Sequence, residues 1–235
     1  MLQKRAIALI RHGDYQQPVG VPSALLPYPL TLKGEAQARQ CGGLILDFCR
    51  TQNLRLVPQL DCSRQLRAWQ TATLIAEAVS LETQPNAAIL QVSEFESLSE
   101  RSVGAVANLD IATIAAIVAA DPRYSPLPNG WKSDRNFRLP FQGAESLQMA
   151  GERVASHLRD AWQALMEGEL KVIVGHGAAM RHAAAQLGLL TASQVTGLSM
   201  HHAQPVYISR DEQGNWFQLA GEWKIRRQAG DEFGE

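Results

Sequence analysis

Apolar positions along this chain follow two rhythms. Short unbroken runs, Ala6-Ile7-Ala8-Leu9-Ile10 and Lys171-Val172-Ile173-Val174-Gly175, have the length and β-branched content of strands buried on both faces. Elsewhere apolar residues recur at helical spacing. Cys41, Leu44, Ile45 and Phe48 follow i, i+3, i+4, i+7 behind Thr31, whose hydroxyl suits a helix N-cap. A second strand is predicted near Leu54 to Leu60, with Ser63 as N-cap of a helix whose buried face is Ala72, Ile75, Ala76 and Val79. A short strand around Ile89 to Val92 comes next, then a helix capped by Asn108 and carrying Ile111, Ile114, Ala115 and Val118. A long helix sets Leu147, Ala150, Val154, Leu158, Ala161 and Leu165 on one stripe. Another, after His176, buries Met180, Ala183, Ala184 and Leu187. Pro205 to Ser209 and Trp216 to Ala220 read as a hairpin around Asp211-Glu212-Gln213-Gly214-Asn215. Strands alternating with helices predict an α/β fold with a mostly parallel sheet.

Two stretches break the pattern. Gln16 to Pro29 is proline-rich and reads as a loop. Asp121 to Gly143 holds Pro122, Pro126, Pro128, Pro140 and the turn pair Asn129-Gly130, so regular structure is not expected there. This second stretch also carries Arg123, Lys132, Arg135 and Arg138 beside Tyr124, Trp131 and Phe137. No repeat, linker or shift of composition divides the chain, which reads as a single domain, 1–235, with an irregular inserted region at about 121–143. The tail after Trp223 is charged and reads as loose.

Composition narrows the function. Hydrophobic residues make up 46% and charged residues 19% of 235, as in ordinary soluble globular proteins. A formal net charge of −1 leaves no global field for nucleic acid or an anionic membrane, so any anion site is local. No run approaches the roughly 18 apolar residues that span a bilayer. The basic start, Met1-Leu2-Gln3-Lys4-Arg5, precedes an apolar run too short for a secretory signal, and a cytoplasmic location is the expectation. Cys41, Cys49 and Cys62, odd in number and without metal-type spacing, argue against a disulfide framework or a zinc site. Cys62 lies beside a motif, but packing is favoured over a nucleophilic role.

Both strands end alike, in Arg11-His12-Gly13 and in Gly175-His176-Gly177. Side chains at the carboxyl ends of parallel strands converge on one crevice. Two histidines and an arginine there suit a phosphate and nucleophilic attack on it. Together with Ser63-Arg64-Gln65-Leu66-Arg67-Ala68 and Leu98-Ser99-Glu100-Arg101-Ser102-Val103-Gly104, these segments resemble the histidine phosphatase superfamily, which includes the cofactor-dependent phosphoglycerate mutases. Leu30-Thr31-Leu32-Lys33-Gly34 and Gly143-Ala144-Glu145-Ser146-Leu147 support it. The motifs run in the family's order from about Ile7 to Leu187.

The resemblance implies a three-layer α/β/α sandwich and a phosphohistidine mechanism. His12 is the implied nucleophile, and His176 the donor to the transferring phosphoryl oxygens. Arg11 and Arg67 are the implied phosphate clamps, with Gly13 beside them. Family spacing selects Arg67 over Arg64, which reads as solvated. Glu100 is the implied general acid, chosen by spacing over Glu94 and Glu96. His157 reads as a surface residue, His182 as packing, and His201 and His202 as loop residues, with a place at the border of the pocket as their alternative. With Arg and His meeting the charge, no metal and no cofactor is expected. Lys132, Arg135 and Arg138 are candidates for contacting a second anionic group, and Trp131 or Phe137 for covering a ring, although a solvated loop is equally compatible.

Asp14-Tyr15-Gln16-Gln17-Pro18 departs from the Ser and Trp-Asn that follow Arg-His-Gly in the mutases, and the mutase lid is not evident. Hydrolysis of a small-molecule phosphate ester is therefore the preferred expectation, ahead of phosphoglycerate mutase and of a catalytically silent phosphate-binding module. No nucleic acid or membrane partner is expected. The sequence sets no oligomeric state.

Overall fold

The computed structural model of the chain describes residues 5–83 and 90–226; the basic start (1–4) and charged end (227–235) lie outside the described residues. The strands are β1 (Ala6–Arg11), β2 (Arg55–Leu56), β3 (Gln59–Ser63), β4 (Gln91–Phe95), β5 (Glu169–Gly175), β6 (Leu198–Met200), β7 (Val206–Arg210), β8 (Trp216–Ala220) and β9 (Trp223–Ile225). The helices are α1 (Leu32–Gln52), α2 (Leu66–Thr83), α3 (Ile111–Ala120), α4 (Leu147–Ala164), α5 (Gly177–Gln186) and α6 (Ala192–Gly197). The central sheet has the order β4-β3-β5-β1-β7-β8, with β2 pairing on β5 outside that path. Its β4, β3, β5, β1 and β2 pairings are parallel, and β7 and β8 add an antiparallel edge.

Strand alternation sorts β1 between two cores. Ala6, Ala8 and Ile10 pack with Cys41 and Ile45 of α1 and Ala72 and Ile75 of α2. Ile7 and Leu9 face Ala150, Val154 and Leu158 of α4 and Met180 of α5. The sheet is thus sandwiched between α1/α2 and α4/α5, which is why β1 and β5 read as continuous apolar runs. Thr31 caps α1, accepting from the Gly34 N–H at 3.1 Å.

Several boundaries differ from the sequence reading. The stretch near Leu54 to Leu60 divides at Pro58, which lacks the N–H a continuous ladder needs. Arg55 pairs with Glu169, and β3 starts afresh at Gln59 and runs on to Ser63. Asn108 does not cap α3; it adopts the left-handed region at φ 72°. Asp110 caps it instead, accepting from the Thr113 N–H at 2.9 Å. The strand expected around Ile89 lies at Gln91–Phe95, and Ile89 itself is outside the described residues. The tail is not wholly loose, because Trp223–Ile225 pairs antiparallel with β6.

Residues 121–143 contain no helix or strand, as their prolines require. They nevertheless bury Trp131 and Leu139 against Ile114 and Val118 of α3, with Val103, Val106 and Ala144. This small core is separate from the two that flank the sheet. No helix among the described residues is long and apolar enough to cross a membrane.

Candidate active site

Three neighbouring strands end at one point. Arg11 pairs with Gly175, the His12 N–H donates to the Gly175 carbonyl at 3.0 Å, and Cys62 pairs with Val174. His12, Ser63 and His176 therefore emerge together beyond the carboxyl ends of β1, β3 and β5. The two imidazole centroids are 5.1 Å apart, and both rings are buried.

Hydrogen bonding fixes the tautomer of each ring. His12 Nδ1 lies 2.8 Å from the Gly13 carbonyl, which can only accept, so Nδ1 carries the proton. His12 Nε2 lies 3.2 Å from Arg67 Nε, which can only donate, so Nε2 carries the lone pair. His176 is the mirror case. Its Nδ1 accepts from Arg67 Nη2 at 3.2 Å, leaving Nε2–H to donate to Ser63 Oγ at 2.9 Å. Burial, then the charge of Arg67, holds both histidines well below 6.5, so both rings are neutral.

Arg67 is the hub. It is fully buried in the first turn of α2, where free helix N–H groups add positive potential. Besides the two histidines it donates to Leu26 O at 3.0 Å, Ser23 O at 2.8 Å and Gln65 Oε1 at 2.9 Å. Its guanidinium also sits 4.6 Å over the Tyr15 ring. Arg11 is buried beside it and donates to Met200 O at 3.1 Å. Gly177 makes room for this arginine: a Cβ there would come within 3.3 Å of Arg11 Cδ and Nε. Arg64, by contrast, is exposed.

Ser63 corrects the sequence reading: it ends β3 and holds His176, while α2 begins only at Leu66. Gly13 is engaged through its backbone: its N–H donates to Thr71 Oγ1 at 3.0 Å and its carbonyl accepts from His12 Nδ1–H, which orients the His12 ring. A side chain at position 13 would collide with the Gly34 backbone. Tyr15, seen in the sequence only as a departure, meets the His12 ring edge-on at 5.1 Å, and burial pushes its hydroxyl up to about 12. Of the two histidines before the hairpin, His202 is the one at the site. Its ring lies 5.4 Å from His12, and its Nδ1–H donates to the His12 carbonyl at 2.8 Å. His201 is exposed.

Glu100 stands apart from its rivals because Glu94 and Glu96 are exposed while Glu100 is buried. The N-cap of α5, His176, makes no side-chain cap. Glu100 supplies that acceptor from another segment, with Oε1 taking the Ala179 N–H at 3.0 Å and Oε2 the Ala178 N–H at 3.2 Å. Arg153 fastens the segment that carries it. Nη1 donates to the carbonyls of Glu96, Ser97 and Ser99, while Nε and Nη2 grip Glu145, whose Oε2 accepts from the Ser102 N–H. The sequence reading missed Arg153; Glu145 in its supporting motif was the available signal. His157 is another correction: it is held between Asp61 Oδ2 at 3.0 Å and Ser97 Oγ at 2.9 Å, not on the surface. Cys62 is buried and its thiol pushed up to about 12, which leaves no thiolate for attack.

A cavity of about 590 Å³ opens beside Glu100. Lys132, Arg135 and Trp131 line it, as do Arg101, Arg181 and His182, whose part the sequence reading missed. Arg138 is exposed and outside the lining. Arg101 donates to Lys132 O and lies 5.7 Å over the Trp131 ring. Among the described residues no group of three or more His, Cys, Asp or Glu is placed to hold a metal ion.

This arrangement can attack an electrophile at His12 Nε2 while two buried guanidiniums meet negative charge. Known proteins match this chain in sequence and in fold. A 2,3-bisphosphoglycerate-dependent phosphoglycerate mutase of Parvibaculum lavamentivorans is 24% identical, over 88% of this chain and 91% of its own. Phosphoglycerate mutase 2 of Gloeobacter violaceus, with the same cofactor dependence in its name, is 28% identical over 81% of this chain and 78% of its own. Among solved structures, the alpha-ribazole phosphatase of Shigella flexneri superposes with a TM-score of 0.67 at 20% identity, covering 95% of this chain and 100% of that one. A mycobacterial glucosyl-3-phosphoglycerate phosphatase gives 0.65 at 20% identity, with coverage of 95% and 100%. The profile of the histidine phosphatase superfamily (branch 1) matches residues 7–222, nearly the whole chain, and the chain belongs to that superfamily.

Proposed function

We propose that the chain is a metal-independent phosphomonoesterase that hydrolyses a small phosphorylated metabolite through a phosphohistidine. The observation that carries this reading is the two-sided hydrogen bonding of His12, which leaves Nε2 as a lone pair facing a buried guanidinium. In the first step Nε2 bonds to phosphorus as the ester P–O bond breaks, and Glu100, entering as the acid, gives its proton to the departing alkoxide. In the second, the Glu100 carboxylate takes a proton from water as the water oxygen attacks phosphorus. The P–N bond breaks, releasing inorganic phosphate. Arg11 and Arg67 bear the charge on the phosphoryl oxygens.

Rapid quench with a 32P-labelled ester tests this. Wild type is expected to show base-stable, acid-labile label, and His12→Ala none, with turnover down roughly 10⁴-fold or more. Label on a residue other than His12, or full activity in the variant, overturns the reading. Activity lost on thorough chelation and restored only by a divalent ion overturns metal independence. The mutase names of the relatives favour a second reading, phosphoglycerate mutase. Isomerisation of 3-phosphoglycerate without net phosphate release, primed by 2,3-bisphosphoglycerate, is its signature.

A further inference from the structure

The cavity beside Glu100 faces the side from which a leaving group is protonated. Ala178, which bonds Glu100 Oε2, lines it, and so does Ser23, whose carbonyl holds Arg67. At about 590 Å³ it falls among clefts that bury drug-sized ligands, roughly 300–1,000 Å³. One wall is apolar, from Ile111 and Ala115 of α3, Val195 of α6 and Trp131. Arg101, Lys132, Arg135, Arg181 and Arg226 also reach it, and Glu100 is the one carboxylate among the described lining residues. Arg101 and Arg181 are buried there and Arg135 is exposed, so an anion in the cavity would meet guanidinium charge drawn from several segments of the chain.

We infer that the substrate's leaving group has an apolar body bearing a second anionic group, and that this group binds among Arg101, Arg135 and Arg181. The inference rests on the phosphomonoesterase reading for its chemistry and on the cavity alone for its binding. His182 records the convergence. Burial, then Arg181, Arg135, Arg101 and Arg226, lowers its pKa to about 3.

Four esters decide it: phenyl phosphate, 4-carboxyphenyl phosphate, 1,4-phenylene bisphosphate and 3-phosphoglycerate. kcat/KM is read by phosphate release on wild type, and Kd by calorimetry on His12→Ala. A preference of about tenfold or more for an anionic aryl ester over phenyl phosphate is expected, the factor of one charge-assisted hydrogen bond. Preference for the carboxylate or for the bisphosphate names the second anion. Arg135→Gln and Arg181→Gln should each shrink the ratio, whereas Arg64→Gln should leave it intact. Equal values for phenyl and 4-carboxyphenyl phosphate overturn the anionic subsite, and a better value for 3-phosphoglycerate overturns the apolar body. Turnover of no ester overturns the phosphomonoesterase reading alone, because the calorimetric ratio still decides the cavity.

Discussion

The two ends of the site are built by different means. At the end proposed to take the phosphate, His12, Ser63 and His176 leave adjacent parallel strands, and both nitrogens of each histidine ring are hydrogen-bonded. At the proposed leaving-group end, the walls come from the proline-rich loop at Pro22 to Ala24, the 100–143 segment, residues of α4, α5 and α6, and Arg226 near the close of the described chain. Parallel strands held on both sides position reacting atoms rigidly, whereas loops tolerate changes of shape and charge. On the proposed reading, the first end carries the chemistry and the second the choice of substrate.

Substitutions can break that division. The largest effect is expected from Glu100→Gln, at the junction of the two ends. It should lower kcat by about 10²–10⁴ for phenyl phosphate, and far less for p-nitrophenyl phosphate, whose leaving group departs without a proton. Equal losses on both esters remove Glu100 from the acid role. Arg67→Met comes next, with kcat/KM falling roughly 10²–10³-fold by the same factor for every ester. A loss that varies with leaving group means the two ends are not separable.

Acid titration compares the ends without changing the substrate. His12 and His176 are held well below 6.5, and His182 and His202 at about 3, burial being the first cause in each. In the unfolded chain each takes a proton near ~6.5, so below that pH the unfolded state binds more protons. The stability these groups contribute above pH 6.5 is therefore lost as pH falls towards 3, by up to about 1.4 kcal/mol per pH unit for each histidine. Urea denaturation from pH 7 to 4 measures the slope. His182→Gln should reduce it without touching the phosphate end, and an unchanged slope shows that His182 already titrates normally.

The smallest effect is expected from Arg153→Gln, which loosens the Glu100 segment without touching substrate. kcat should fall about tenfold with KM steady, and the deficit should be greater for phenyl than for p-nitrophenyl phosphate. A uniform deficit with a lowered Tm makes Arg153 a structural residue only.

How far the sequence could be read follows the same division. β1, apolar on both faces, the Val172-Ile173-Val174 run of β5 and the stripe on α4 were legible because burial imposes a pattern that local residues carry. His12, Arg67, Glu100 and His176 could be named because each sits within a short ordered motif, and the fold buries all four. Ser63 and Asn108 were misread as caps. A serine before a helix and an asparagine before an apolar run fit a cap equally well, and only the backbone geometry decides. His157, His202, Arg101 and Arg181 act through partners distant in sequence, such as Asp61 to His157 and His12 to His202, and no local spacing encodes such pairs.

The grip of Arg67 on the carbonyls of Ser23 and Leu26 has a thermodynamic consequence. The proline-rich loop that provides those carbonyls also supplies Pro22, Ser23 and Ala24 to the cavity wall. Opening of that loop, anion binding at the guanidinium and occupancy of the cavity are therefore linked equilibria. Whatever factor one ligand adds to the other's affinity is returned in full. Amide hydrogens around residues 21–30 should exchange more slowly when either a phosphate analogue or a cavity ligand is bound, which makes the loop a reporter for both ends at once.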